Sequence, residues 1–179
     1  MTHFPPRAVR AVALFALVLG ASGCSHFSSK TPKSTGAVFS SKAQKCMERA
    51  MYFESNRSSR DGMVAVGSVV MNRVDSSDFP NDVCAVVGQK NQFAPGVMKK
   101  KMTEEASVAR VREAASAVLA GERHPHVGRA RFFHALYYNA NYNNMHYTVS
   151  AGGNAFYEKR KPAEVTQPNP LPNTEGVTG

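Results

Sequence analysis

The chain has 179 residues, which is enough for one domain with a real core and excludes a second domain of similar size. Its 22 basic and 13 acidic residues give a formal net charge of +9. A positive charge of this size favours an anionic polymer or an acidic membrane surface as partner, although charge alone does not decide between them.

The N-terminal residues have the layout of a secretory signal. Arg7 and Arg10 form a basic start, and an apolar run over 11–20, too short to span a bilayer by itself, follows them. The next residues, up to Cys24, resemble a bacterial lipobox. The sequence therefore predicts a signal peptide over 1–23 and a lipid on Cys24. The alternative is plain cleavage near the same place, which would give a soluble periplasmic protein.

Export narrows the expected partners. Removal of 1–23 takes away two arginines and no acid, so 20 basic and 13 acidic residues leave +7. An anionic polymer such as cell-wall glycan, and a membrane reached through the lipid, are the expected partners, nucleic acid is not, and the protein is expected to be a monomer. The chain is predicted to lie on the periplasmic face of the envelope. The outer membrane is favoured because Ser25, not an aspartate, follows the lipidated cysteine.

Two cysteines remain in the predicted domain, Cys46 and Cys84. In an oxidising compartment an even pair predicts a disulfide. The bond would close a loop of 39 residues and stabilise the fold by roughly 4 kcal/mol in the chain-entropy model. Two free buried thiols are the alternative.

Composition divides the exported chain into three parts. Residues 24–41 are rich in Ser, Thr, Lys and Gly and predict a flexible tether. Residues 161–179 are rich in Pro, Asn, Thr and Gly and predict a disordered tail. The folded unit is therefore expected over 42–160.

Apolar periodicity predicts three main helices in that unit, at 42–55, 60–74 and 104–120. One or two helical turns are expected at 83–87, and the aromatic-rich segment 131–139 fits a strand or an extended loop. The expected capping residues are Ser58 or Ser59 for the second helix and Thr103 for the third, which Gly121 ends. Within the second helix, Gly67 is expected to allow close approach of a neighbouring element.

Glu54 is the candidate catalytic residue. At helical spacing it continues the apolar face of Met47, Ala50 and Met51, close to the helix C-terminus. Partial burial and the negative end of the helix dipole both raise a carboxyl pKa. A carboxylic acid that stays protonated near neutral pH suits a general acid on a sugar bond. The alternative is a solvated glutamate or a partner for Arg57.

Aromatic and amide side chains are the candidate sugar-binding groups. Tyr137, Tyr138 and Asn139 offer ring faces for pyranose stacking and an amide for hydroxyl and N-acetyl groups. Gln92 and Phe93, in a loop ended by a proline, could line the same groove. The alternative is that these aromatic residues pack in the core.

The sequence predicts neither a metal nor a cofactor. There are six histidines, but none shows a His-Glu-x-x-His pattern or similar ligand spacing. A Gly-x-Ser-x-Gly nucleophile motif is also absent from the sequence.

Segment 46–95 resembles the bacterial cell wall hydrolase family of the spore-cortex-lytic type, with SleB/CwlJ-like catalytic domains. A weaker likeness continues to Tyr157. The matching motifs are Cys46 with Tyr52-Phe53-Glu54, Gly62 to Asn72-Arg73-Val74, Phe79-Pro80-Asn81-Asp82-Val83-Cys84, Gln92-Phe93-Ala94-Pro95, and the closing Gly152-Gly153 with Phe156-Tyr157.

The resemblance implies an α+β fold, mainly helical, in a small lysozyme-like domain with a short β element. It also implies that Glu54 is the catalytic acid/base and that the substrate is peptidoglycan. Two departures stand out. Glu54-Ser55 and Tyr138-Asn139-Ala140 look like the corresponding pair and triplet of lytic transglycosylases, and Asn154 replaces a histidine that is common in the family.

The likeness to lytic transglycosylases and the lack of a clear second carboxylate predict a lytic transglycosylase that cuts the MurNAc–GlcNAc bond with one glutamate. A hydrolase of the two-carboxylate kind needs a second acid, and each candidate is better explained as a helix-start or turn residue: Asp61, Asp75, Asp78 and Asp82. The alternatives are an N-acetylmuramoyl-L-alanine amidase, which would normally need a metal, and a non-catalytic peptidoglycan-binding lipoprotein.

Overall fold

Four helices precede a small sheet in the computed structural model, which describes residues 39–57 and 59–179. These residues fall within one unit, Thr35–Gly179. The predicted signal peptide and Cys24 lie outside the described residues. The elements in chain order are α1 (Ser41–Glu54), α2 (Arg60–Val74), α3 (Val83–Val87), α4 (Glu105–Leu119), β1 (Phe132–Ala135), β2 (Met145–Ala151), β3 (Asn154–Lys159), a 3-10 turn (Pro162–Glu164) and β4 (Asn173–Thr174).

Local hydrogen bonds define the ends of the first two helices. The side chain of Ser40 accepts from the Ala43 N–H at the start of α1, and that of Ser59 accepts from the Gly62 N–H at the start of α2. Ser55 is extended and ends α1, with both its N–H and its hydroxyl donating to the Met51 carbonyl. The predicted helices over 42–55 and 60–74 are therefore confirmed to within a residue.

α2 is the central helix of the core, and 12 of its 15 residues are buried. At Gly67, an added Cβ would lie 2.4 Å from the Met51 methyl carbon of α1 and 3.1 Å from Val118 of α4. The predicted close approach is confirmed, and its partners are side chains of two neighbouring helices.

The start of α4 differs from the prediction. Thr103 does not cap it, because the helix begins one residue later, with Glu104 in the capping position and no side-chain cap. The backbone N–H groups of Thr103 and Glu104 point instead to the Tyr52 hydroxyl, at 3.2 and 3.3 Å. The Tyr52 hydroxyl thus anchors the residues just before α4 through a contact distant in sequence.

The sheet has the strand order β1-β3-β2-β4. The first two pairings are antiparallel, and β4 joins β2 in parallel. Phe133, Val149 and Phe156 pack against the helical core, while Tyr147 and Tyr157 belong to a small cluster on the opposite face. The predicted strand within 131–139 is confirmed, and the whole agrees with the predicted α+β class.

The C-terminal segment 161–179 is not the disordered tail that its composition predicts. β4 pairs with β2, and the buried carboxylate of Asp61 accepts the N–H groups of Val177 and Thr178 at 3.0 and 2.8 Å. The Ser59 hydroxyl also donates to Glu175, at 2.7 Å. Polar anchoring at the start of α2 orders this segment, although it has too few apolar residues to form a core of its own.

A disulfide joins α1 to α3, as predicted. Cys46 and Cys84 are bonded, with their Cα atoms 5.2 Å apart, and both side chains are buried. The disulfide holds the first half of α1 against α3, so the helix that ends at Glu54 is covalently linked to a second helix of the fold. Among the described residues, no helix is long and apolar enough to cross a membrane.

Candidate active site

Glu54 is the last residue of α1, and its side chain is half-buried. The backbone N–H of Ala94, in the loop after α3, donates to Oε1 of its carboxyl group. The Asn154 side chain at the start of β3 donates to the Glu54 backbone carbonyl at 2.6 Å. The Asn56 N–H donates to the Gly152 carbonyl at 2.9 Å, so the chain that directly follows Glu54 is held against the turn between β2 and β3.

The pKa of Glu54 is raised above its ordinary value. Burial is the largest cause, and the hydrogen bond from Ala94 and the charge of Arg73 oppose it without cancelling it. The raised pKa agrees with the sequence prediction, in which partial burial of the side chain is one of the two expected causes. A glutamate with a raised pKa keeps its proton to higher pH than a free one, as a general acid must.

Arg73 is the cation that acts on Glu54, and sequence reasoning missed its role. The residue is 2% exposed, and its guanidinium carbon lies 5.2 Å from the ring centroids of both Phe79 and Phe93. Its Nε donates to the Arg131 carbonyl at 2.7 Å, while Nη1 is buried without a hydrogen-bond partner in the described part of the chain. Burial lowers the pKa of Arg73 to about 10. The sequence does contain a signal for this role, since Arg73 is a charged residue within a helix that is rich in valine.

Two of the predicted sugar-binding residues lie on the loop that contacts Glu54. Phe93 is only 8% exposed and packs 6.1 Å from the Phe133 ring, so most of its surface belongs to the core. Gln92, next to it, is exposed. The Ala94 N–H donates to the Glu54 carboxyl group, and Gln92 lies two residues before Ala94 in the same loop. Substrate binding by these two residues stays a prediction.

The other predicted sugar-binding residues directly follow β1. Ala135, the last residue of that strand, pairs with Asn154, whose side chain contacts the Glu54 backbone. The next residues therefore leave the sheet at the end where Glu54 lies. The side chain of Tyr137 is 93% exposed and that of Tyr138 is 54% exposed, which leaves aromatic surface available to a ligand. Asn139 is exposed as well.

Asn154 has a clear structural position although it replaces the family histidine. It is 6% exposed, and its amide donates to the carbonyl of the last residue of α1. Helix C-termini leave carbonyls without intrahelical partners, so this amide satisfies one of them. Asn154 therefore positions the Glu54 backbone, a role that the sequence alone left open.

Comparisons with known proteins agree with this arrangement. The family model described as "Cell Wall Hydrolase" matches residues 57–157, more than half of the chain. The chain belongs to the cell wall hydrolase family. This confirms the resemblance found in the sequence. The matched range begins three residues after Glu54, so the family match does not cover the candidate acid.

This cell wall hydrolase is also similar to solved structures. The catalytic domain of the germination-specific lytic transglycosylase SleB from Bacillus anthracis shares 25% identity over 68% of this chain and 98% of that one, with a TM-score of 0.53. The catalytic domain of the Bacillus cereus SleB protein shares 25% identity over 69% and 97%, with the same TM-score. None of the curated proteins matches the chain.

The four aspartates considered as a second carboxylate have structural positions in this hydrolase. Burial would raise the pKa of Asp61, but hydrogen bonds from Thr178 and Val177 outweigh it and lower the pKa. Asp78 forms an ion pair with Arg131 at 2.7 Å. Asp75 occupies the C-cap of α2, and Asp82 caps α3 through the Ala85 N–H. Across 39–57 and 59–179, no three His, Cys, Asp or Glu side chains form a group that could hold a metal ion.

Proposed function

We propose that this cell wall hydrolase is a lytic transglycosylase that cleaves the MurNAc–GlcNAc bond of peptidoglycan, with Glu54 as its single acid and base. The observation that supports this most is the half-buried Glu54 carboxyl group with a raised pKa, held by the Ala94 N–H. The similarity to a SleB catalytic domain described as a lytic transglycosylase supports the reaction type.

The reaction needs one carboxyl group and no water. Glu54 donates its proton to the glycosidic oxygen, and the bond from that oxygen to C1 of the muramyl sugar breaks. The 6-hydroxyl of the same sugar then attacks C1, and the Glu54 carboxylate takes the hydroxyl proton. The products are a free GlcNAc hydroxyl and a 1,6-anhydro-muramyl end, and Glu54 is protonated again.

The contacts of Glu54 suit both halves of this cycle. Because Oε1 accepts the Ala94 N–H, Oε2 is the oxygen that carries the proton towards the sugar. The nearby positive charge of Arg73 stabilises the carboxylate that exists between the two steps. Burial has the opposite effect, so the carboxylate returns readily to its protonated form.

The proposed sugar-binding side chains fit the two sides of this acid. Gln92 and Phe93 precede Ala94 on one side, and Tyr137, Tyr138 and Asn139 follow β1 on the other. Exposed tyrosine rings stack on sugar faces, and the amides bind N-acetyl groups. We assign Gln92, Tyr137, Tyr138 and Asn139 to substrate binding on that basis, and Phe93 only through the small part of its surface that remains exposed.

Mass spectrometry of the fragments released from purified sacculi tests the reaction type. We expect 1,6-anhydro-muramyl ends, formed equally well with and without EDTA. Reducing muramic acid ends would show hydrolysis by water instead. Free stem peptides whose release EDTA abolishes would show an amidase, and sacculus binding without any release would show a non-catalytic binding protein. Each of these three results contradicts the proposal.

Export and anchoring complete the proposal. A cell wall hydrolase acts on peptidoglycan outside the cytoplasm, which implies export. We propose that 1–23 is removed as a signal peptide, that Cys24 carries the lipid, and that the residues between Cys24 and the start of α1 form the tether. The folded unit, which includes the C-terminal segment 161–179, would then reach the cell wall from an anchored position on the outer membrane.

A further inference from the structure

A groove of about 890 Å³ lies between the C-terminal end of α2, the residues just before β1, and the end of β3 with the chain that follows it. Glu54 is not among its lining residues. Three of the lining side chains are carboxylates and five are cationic. We call this surface the basic groove, and its cations are Arg129, Arg131, Lys159, Arg160 and Lys161.

Three of the five cations already have acidic partners. Arg131 pairs with Asp78 at 2.7 Å, Arg160 with Glu158 at 3.0 Å, and Lys161 with Glu164 at 3.8 Å. These three cations are therefore partly neutralised by their partners.

The other two cations, Arg129 and Lys159, are exposed and have no ion pair within the described ranges. The Lys159 ammonium lies 4.4 Å from the centre of the Phe132 ring, which orients it without neutralising its charge. A guanidinium and an ammonium are thus available in one concave surface. Both bind carboxylates well, the guanidinium through two parallel hydrogen bonds.

The position of the groove relative to Glu54 suggests what it holds. β3 begins at Asn154, whose side chain contacts the Glu54 backbone, and ends at Lys159 in the groove. The five steps between these residues span about 17 Å at the usual strand rise. An extended peptide of about five residues covers the same distance. A short peptide that branches from a sugar bound at Glu54 is therefore long enough to reach the groove.

We propose that the basic groove binds the stem peptide of peptidoglycan, an inference that rests on the proposed cleavage of the glycan at Glu54. The free carboxylates of the stem contact Arg129 and Lys159. Asp75, which lines the groove as the C-cap of α2, faces the amino group of the stem. The mixture of charges favours a peptide over a lipid surface, because a uniformly anionic membrane would meet the three carboxylates of the groove as well as its cations.

Two matched double variants test the groove. R129Q/K159Q removes its two unpaired positive charges. K42Q/K45Q removes two exposed lysines from the first half of α1. Lys42 and Lys45 lie about 14–18 Å from Glu54 along the helix, so long-range electrostatic effects on the acid are similar in the two variants. Each variant is assayed on intact sacculi and on glycan strands whose stems have been removed by an amidase.

We expect R129Q/K159Q to raise KM about three- to tenfold on intact sacculi, the scale of two exposed charge pairs, and to leave kcat unchanged. On stem-free glycan it should behave as the wild type does, and K42Q/K45Q should not distinguish the two substrates. Equal losses on both substrates, or no loss, would overturn the proposal. Loss of binding to anionic lipid vesicles with unchanged sacculus kinetics would assign the groove to a membrane instead.

A direct titration separates the groove from the catalytic proposal. The stem peptides released by the amidase are added to the isotope-labelled protein, and the backbone amides of residues 158–161 are followed by NMR. Saturable shifts in the wild type that R129Q/K159Q loses support the groove, even if no glycan is cleaved and the proposed function fails. No shift in the wild type overturns it, even if the glycan is cleaved as proposed.

Discussion

Replacement of Glu54 by glutamine is expected to lower the release of soluble fragments from sacculi by about 10²–10⁴-fold, the usual contribution of a general acid. The amide keeps the shape of the side chain and can still accept the Ala94 N–H, but it has no proton to give to the glycosidic oxygen. The measurement is the initial rate of fragment release at equal protein concentration.

The same substitution is expected to preserve or increase stability at neutral pH. Because the folded-state pKa of Glu54 is raised, the folded state holds the proton more tightly than the unfolded state. Ionisation therefore reduces stability as the pH rises from the unfolded pKa through the folded one. Glutamine has no such penalty, so urea denaturation at neutral pH should show E54Q to be at least as stable as the wild type.

The control variant is E105Q, which removes one exposed carboxylate from the first turn of α4. It should cleave sacculi at nearly the wild-type rate. If E54Q also cleaves at that rate, another group supplies the proton and the assignment of the acid is wrong.

Removal of the disulfide is expected to have the largest effect on stability. In C46A/C84A, the 39-residue loop is no longer closed in the unfolded chain. The chain-entropy model gives a loss of about 4 kcal/mol in the free energy of unfolding. Since domains are typically stable by only 5–15 kcal/mol, the midpoint of urea denaturation should fall by a large fraction of its value.

Reductant provides the internal control for this prediction. Dithiothreitol should lower the denaturation midpoint of the wild type towards that of C46A/C84A and leave the double variant unchanged. C24A should behave as the wild type, because Cys24 is not part of the bond. Equal midpoints for the wild type and C46A/C84A under oxidising conditions would show that the disulfide does not contribute.

The parts of the fold that the sequence predicts correctly depend on contacts near in the chain. α1 and α2 combine an apolar period with serine caps, so their bounds follow from local rules. The position of Glu54 at the end of an apolar face follows from the same period. The pairing of Cys46 with Cys84 follows from cysteine number and compartment, which require no knowledge of the fold.

The incorrect or missing predictions depend on tertiary contacts. The C-terminal segment is ordered by a carboxylate more than 100 positions earlier in the chain, Asp61, which composition does not reveal. The interaction of Arg73 with Glu54 and the contact of Asn154 with the end of α1 both join separate elements. The basic groove likewise combines side chains from three distant segments, around residues 72–76, 129–131 and 158–164.

The proposed mechanism depends on the burial of Glu54, which keeps its carboxyl group protonated to a higher pH than that of an ordinary glutamate. A titration of the side-chain carboxyl carbons by ¹³C NMR, with the Glu54 signal assigned as the one missing from E54Q, measures its pKa directly. The structure predicts a pKa above the ordinary value of a glutamate, with the loss of cleavage activity at high pH following the same titration. A Glu54 pKa at or below the ordinary value would contradict the proposed role of the acid.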